Sequence, residues 1–270
     1  MNRIFVIRVG ADSSHYPIRS PIFKDNRFEF IPIPEGENNK WRKDPIPHIH
    51  PMLRYCEIPC FNDPSRNLGE YVGKHAQTVA HNDPEFTGMT YGDLCKRNPR
   101  AINLIDDEKG AKLGDFLFFL ARLEKHDGSN FVDDAGLYFI GYFHIETVCG
   151  PIQTPLADLQ ETRIGTNAHV LRAKAEPNLW VDERSKFWVF KGGPNSVRFP
   201  FALEADWEWL HTIFHDAYGR DWKKNGYTPI QRVASYTRTI RCQLDPDNPE
   251  QNDSYQRFWD KVQRNLDKHT

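Results

Sequence analysis

The chain has 270 residues, a formal net charge of −2, 27% charged residues and 39% hydrophobic residues. That much apolar material can bury a core, which excludes a disordered chain. The near-neutral charge excludes a global positive field that would gather polyanions nonspecifically. No apolar run approaches the roughly 20 residues a bilayer span needs, and Arg3 to Val9 is too short and too charged for a secretory leader. Five scattered cysteines (Cys56, Cys60, Cys95, Cys149 and Cys242) fit a reducing compartment better than a disulfide framework, so the expected location is the cytoplasm.

The first element is the β-branched run Ile4–Val9, read as a buried strand closed by Gly10. Phe28 to Pro34 alternates and is then broken by prolines, which predicts an edge strand. Between Glu35 and about Ser65, proline, asparagine and charge prevail without periodicity, as in a long surface excursion. The centre is clearest. Phe116 to Leu123 predicts a buried strand after the Leu113-Gly114-Asp115 turn. A loop from Glu124 to Ala135 then leads to an aromatic strand, Gly136 to Glu146, bent at Gly141, and the two strands pair antiparallel. Asn167-Ala168-His169-Val170 and Phe187 to Pro194 read as further strands. Helices are expected over Glu204 to Ala217 and from Tyr255 to Leu266, the second capped by Asp253 or Ser254. The resulting expectation is an α+β fold: a central, mostly antiparallel β-barrel of PUA-like type, with peripheral helices and long loops. Residues 1–205 would form one domain and residues 206–270 a helical extension packed on it.

Phosphate-binding glycine loops and a serine nucleophile elbow are absent from the sequence, which removes the standard nucleotide-triphosphate, dinucleotide and serine-hydrolase readings. His48-x-His50 with Cys56 and Cys60 offers zinc-compatible side chains, but the spacing is not that of a zinc finger, and no metal is assigned. His81-x-Asp83 carries more. In an extended segment, residues two apart point the same way, so a carboxylate can orient an imidazole as a general base or form half of a metal site. The alternative is that Asp83 caps the turn before Pro84 while His81 fills a hydrogen-bonding niche.

Asp12 follows the first strand, where it can bind a ligand or make an ordinary Asx turn. Tyr91 and Asp93 flank Gly92 and offer a stacking ring and an acceptor. Asn167 and His169, placed on one side of a strand, could read a base edge or form a structural pair. Ser196 and Arg198 after the Gly192-Gly193 turn form an anion-binding candidate, as does Gln231 to Arg241, where arginine alternates with hydroxyl and aromatic residues. Tyr138, Phe139, Tyr142 and Phe143 could stack on bases or simply pack the core.

The segments Arg8-Val9-Gly10-Ala11-Asp12, Ser20 to Asp25 and Phe28 to Pro34 resemble the nucleotide modification associated domain proteins, the third family of that name. So do His81-x-Asp83-Pro84-x-Phe86, Thr90-Tyr91-Gly92-Asp93, Leu113 to Phe116 and Gly141-Tyr142-Phe143. The likeness runs to about residue 205. It implies a role in prokaryotic or phage systems, including defence systems, that handle modified bases or nucleotides, and it brings no established reaction. The centre is also similar to PUA-like and EVE-like barrels, which bind nucleotides, often by accepting a flipped base.

Two functions therefore compete, beside a third reading in which the chain is a structural or interaction protein whose polar loops are merely turns. The first is recognition of a modified base in nucleic acid, or of a free nucleotide, through Tyr91, Asp93, Asn167, His169, Ser196 and Arg198. The second is an enzyme modifying or hydrolysing a nucleotide, with Asp12, His81, Asp83 and Asp93 in one pocket. The expected partner is a nucleotide or nucleic acid, with no membrane; the cofactor and the oligomeric state are left open.

Overall fold

A computed structural model describes residues 2–11, 15–37, 40–41, 52–94, 110–152, 163–175, 187–213 and 243–268. Its centre is an eight-stranded mixed sheet. The spine is a pair of long strands, β8 (Phe116–His126) and β9 (Phe131–Ile152), antiparallel from Phe116↔His144 to His126↔Phe131. On the outer edge of β8 lie two collinear parallel strands, β1 (Ile4–Val9) and β2 (Ser20–Ile22). On the other edge of β9 lie β10 (Phe187–Gly192) and β11 (Val197–Glu204), both antiparallel to it. Strand β7 (Thr90–Leu94) completes one side on β10, and the two-residue β12 (Gln243–Leu244) completes the other on β1.

The predicted central strands and their antiparallel pairing are present, and they run longer than expected. The sequence between Glu124 and Ala135 continues the ladder as far as His126 and resumes it at Phe131, leaving only Asp127-Gly128-Ser129-Asn130 as the turn. There Asp127 accepts the Ser129 and Asn130 amides at 2.8 and 2.7 Å. At Gly141 the register shifts and φ is +154°; an added Cβ would press on Phe86, 2.9 Å away, so only glycine fits the bend.

The pairing is an open path whose ends are β12 and β7, and no pairing among the described residues closes it. The architecture is therefore a mixed α+β fold around a large sheet, and the closed PUA-like barrel expected from the sequence is not formed by these pairings. Both faces of the sheet are buried, which is why β1 and β8 read as continuous apolar runs and not as alternating ones. One face, with Phe5, Ile7, Phe119 and Phe143, packs under Phe28, Phe30 and Phe86. The other, with Ile4, Val6, Phe118 and Phe139, is covered by Leu210, Phe258 and Val262 of two helices. Tyr138, Phe139, Tyr142 and Phe143, weighed above as a base platform, are divided between these two cores.

The described residues include the α-helices α1 (Gly69–Val72), α2 (Ala168–Ala175), α3 (Trp207–Ile213) and α4 (Asn252–Asp267). Helices α3 and α4 fall within the stretches the periodicity gave, but Glu204 still belongs to β11, residues 214–217 lie outside the described ones, and Asp253 and Ser254, expected as the cap, lie inside α4. The Asp206 carboxylate accepts the Trp209 amide at 2.7 Å to start α3, and α4 begins one turn ahead of Tyr255, after Gln251. Helix α2 overturns the strand expected at Asn167 to Val170. The segment Ala168 to Ala175 holds alanine, leucine, arginine and lysine, all strong helix formers, after an asparagine cap. The short pieces β3 (Ile33–Pro34) and β6 (Ala80–His81) pair antiparallel beside the main sheet, and β4 (Gly36–Glu37) pairs β5 (Lys40–Trp41). No helix among the described residues is long and apolar enough to cross a membrane.

Candidate functional site

The polar residues that meet come from three places: the β3–β6 ladder, strand β7 and the start of α2. In the ladder Ile33 faces His81 and Pro34 faces Ala80, and the Glu35 amide continues the pattern by donating to the Val79 carbonyl at 2.8 Å. Glu35 and His81 are therefore diagonal neighbours on one face of an antiparallel pair, close enough for their side chains to meet. The contact is short: His81 Nδ1 lies 2.8 Å from Glu35 Oε2, with side-chain exposures of 10% and 3%. Asp83, two residues on, shares the face with His81, as the spacing predicts.

Helix α2 supplies the opposing side. Asn167 is its cap: the side-chain oxygen accepts the His169 amide at 3.0 Å, and the Asn167 carbonyl accepts the first helical bond, from Leu171, at 2.9 Å. This sends His169 into the cluster, where its Nε2 stands 3.3 Å from His81 Nε2 and 3.4 Å from Asp83 Oδ2. Arg172, one turn later on the same face, brings Nε to 3.6 Å from Glu35. Asp83 is fixed by the Gly92 amide, which donates to its two oxygens at 3.0 and 3.1 Å, and by the Asn167 amide group at 3.2 Å. The same Asn167 nitrogen lies 3.3 Å from Thr90 Oγ1. Gly92 is required by this crowding, since a Cβ there would meet Asn167 Oδ1 at 2.8 Å and overlap the His169 ring.

The electrostatics follow from the geometry. Burial acts to raise the Glu35 carboxyl, but the hydrogen bond and charge of His81, helped by Arg172 and His169, outweigh it and hold the group at about 2. Burial acts to lower His81, and the Glu35 hydrogen bond and charge, with Asp83 behind, overcome it and raise the imidazole above its ordinary value. With Glu35 accepting from Nδ1, the Nε2 of His81 faces inward, toward His169. Among the described residues, His81, Asp83 and His169 form the one group of three whose metal-competent atoms all lie within 4.8 Å of each other.

Beside this cluster lies a cavity of ≈ 520 Å³. The two share walls. Ala80 and Asn82 line the cavity where His81 and Asp83 line the cluster, and Ala168 and Leu171 line it where α2 turns His169 and Arg172 the other way. Asn82, Glu85, Thr87, Thr166 and Lys174 add polarity to a mostly apolar lining.

The remaining sequence candidates lie elsewhere. The Tyr91 ring is 4% exposed, packed on Phe119 at 5.6 Å, and its hydroxyl donates to Asp93 at 2.9 Å. It leaves no open face for a base, because Tyr91 and Asp93 point to the side of β7 opposite Thr90 and Gly92. Ser196 accepts the His144 amide at 3.1 Å. Arg198 is buried over Phe28 and Phe61, with its guanidinium 4.5 and 3.5 Å from the ring centres, and burial pushes it down to about 10. Neither presents an open anion site. Asp12, His48, His50 and the segment Gln231 to Arg241 lie outside the described residues. Cys60 is buried, which raises its thiol to about 12 and disfavours the thiolate that zinc needs. Sequence reasoning missed Glu35 and Arg172. The first sat in a proline-rich stretch without periodicity. The second was legible once 168–175 was read as a helix, because residues 169 and 172 then share a face.

Compared with known proteins, residues 3–240 match the family model described as nucleotide modification associated domain 3. The match continues past residue 205, where the sequence likeness had ended. No curated protein and no solved structure matches.

Proposed function

This chain belongs to the nucleotide modification associated domain 3 family, and we propose that it is an enzyme acting on a nucleotide, or on a base within nucleic acid, at the cluster of His81, Asp83 and His169. One observation carries the reading: the buried His81 imidazole is gripped at Nδ1 by Glu35 while its Nε2 faces His169, 3.3 Å away, with Asp83 alongside. A carboxylate on one ring nitrogen fixes the tautomer and raises the basicity of the other, the arrangement of a general base. The carboxylates of Glu35 and Asp83 then supply the countercharge for a proton arriving there. The neighbouring cavity lies across the shared β6 and α2 wall from these side chains, none of which lines it, so it is not the place of reaction. Its volume, within the range of about 300–1,000 Å³ of ordinary small-ligand pockets, and its lining with Asn82, Thr166 and Lys174 suit a second part of the ligand.

Recognition without turnover has less support. The side chains nominated to read a base are engaged within the protein: Tyr91 in the core, Asn167 as helix cap and Asp83 anchor, and Arg198 on two phenylalanines. The wider setting follows the family, with a modified nucleotide or nucleic acid as partner in a prokaryotic or phage modification system.

The test is a panel of nucleoside mono- and triphosphates, DNA and RNA with standard and modified bases, incubated with the protein and read by mass spectrometry of the products. We expect a mass change that Asp83→Asn lowers by about 100-fold or more while cooperative unfolding is retained. Saturable binding with no product from any member of the panel would make the chain a reader.

A further inference from the structure

Three imidazole and carboxylate groups with inward-facing ligand atoms invite a question that a hydrogen-bonded triad leaves open, namely what occupies their focus. Around a tetrahedral ion with bonds of about 2.0–2.1 Å, neighbouring ligand atoms stand about 3.3 Å apart. His81 Nε2 and His169 Nε2 are 3.3 Å apart, and His169 Nε2 and Asp83 Oδ2 are 3.4 Å apart. All the ligand atoms fall within 4.8 Å of one another. A ligating histidine characteristically donates its other ring nitrogen to a carboxylate, and His81 does so to Glu35 at 2.8 Å. The carboxylate ligand is likewise held by donors, the Gly92 amide and Asn167 Nδ2.

We propose that His81 Nε2, His169 Nε2 and a carboxylate oxygen of Asp83 bind one divalent transition-metal ion of the zinc type, leaving a coordination position for water or substrate. Two imidazoles and one carboxylate, without thiolate, are the ligand set of open catalytic sites and not of closed structural ones, which take four protein ligands. The donor chemistry fits borderline cations such as Zn²⁺, Co²⁺ or Fe²⁺ better than Ca²⁺ or Mg²⁺, which prefer all-oxygen shells. Two ring nitrogens 3.3 Å apart on nearly perpendicular imidazoles, at 86°, need a proton between them when no ion is there; the ion replaces that proton. The inference rests on the same site as the proposed function and not on its substrate, since metal can bind whether or not a nucleotide turns over. With the ion held, the His81 Nε2 lone pair is taken up by it, and the base of the proposed reaction would be a water activated on the ion and no longer His81 itself.

The experiment uses the full chain after chelation and dialysis, titrated with Zn²⁺ by calorimetry and with Co²⁺ by visible spectroscopy. We expect one equivalent to bind, with the bands of a four- or five-coordinate Co²⁺ site and no thiolate-to-metal charge transfer. His169→Gln and Asp83→Asn should each weaken binding by at least about tenfold. Glu35→Gln, which leaves every ligand in place, should weaken it by roughly 10–100-fold. Asp83 also holds the Gly92 amide, so His169→Gln, which alters no backbone contact of that strand, guards against a folding defect. Absence of stoichiometric binding by the native chain overturns the proposal. So does affinity unchanged in both ligand variants, or a thiolate-bearing spectrum that moves the site to Cys56 and Cys60. Metal binding without nucleotide turnover removes the enzyme reading alone; turnover that persists in chelator and at the native rate removes the metal alone.

Discussion

Arg3 with Asp115 and Glu35 with His81 are both buried ion pairs between residues distant in sequence, and they end differently. The Asp115 carboxylate receives the Arg3 amide, its guanidinium and the Lys112 amide at 2.7 to 2.9 Å, and the same guanidinium reaches the Gly110 carbonyl at 2.6 Å. There the Arg3 amide, Nε and Nη2 all meet acceptors. In the other pair, Glu35 satisfies one nitrogen of His81 and leaves the second aimed at another imidazole. The first arrangement closes the start of β1 onto the turn before β8. The second spends comparable burial on a group of atoms that complete one another only through a proton or an ion. Burial of charge is thus weak evidence for function by itself; an inward-facing, incompletely matched donor set is the stronger signal.

Breaking the first pair should have the largest effect on folding. Asp115→Ala leaves a guanidinium 8% exposed without its carboxylate, and a chemical denaturation curve should show a loss of about 3–5 kcal/mol, with metal affinity per folded molecule unchanged. Gly92→Ala should do the reverse. Its methyl group displaces His169 and Asn167, so turnover should fall by about 100-fold, with a stability loss smaller than that of Asp115→Ala.

Acidity separates the pairs next. Glu35 is held at about 2 against an ordinary 4.5, so its contribution to stability is present above pH 4.5 and fades as pH falls toward 2. His81 is raised above 6.5, so its share is complete below pH 6.5 and lost as pH rises through the folded value. The two shifts are the same contact seen from its two ends, and the contribution is greatest between about pH 4.5 and 6.5. Urea midpoints across this range should show that maximum in the native chain, and Glu35→Gln should flatten both limbs. An unchanged profile in that variant would show that the contact does not couple to folding. The smallest effect belongs to Tyr91→Phe, which removes one hydroxyl bond to Asp93. Thermal unfolding should register about 0.5–1.5 kcal/mol and turnover should stay native, whereas a stacking role would show itself as weakened nucleotide binding on Tyr91→Ala without a matching loss of fold.

Much of the sheet was legible because burial on both faces writes a continuous apolar run, as in Ile4–Val9 and Phe116 to Leu123, and because Gly141 marks a place where the aromatic strand bends. His81 and Asp83 were legible as a pair because extended backbone repeats every two residues. Helix α2 was not, since four residues, Asn167 to Val170, carry no period, and only the following Leu-Arg-Ala-Lys-Ala discloses the helix.

The local pattern by itself determined strands, bends and helix faces, for these depend on neighbours within a few residues. It could not determine which polar side chains meet. Glu35 reaches His81 across 46 residues, and His169 reaches it across 88. Those encounters are decided by how β3 pairs with β6 and where α2 docks, and both follow from apolar packing that the polar residues do not themselves encode.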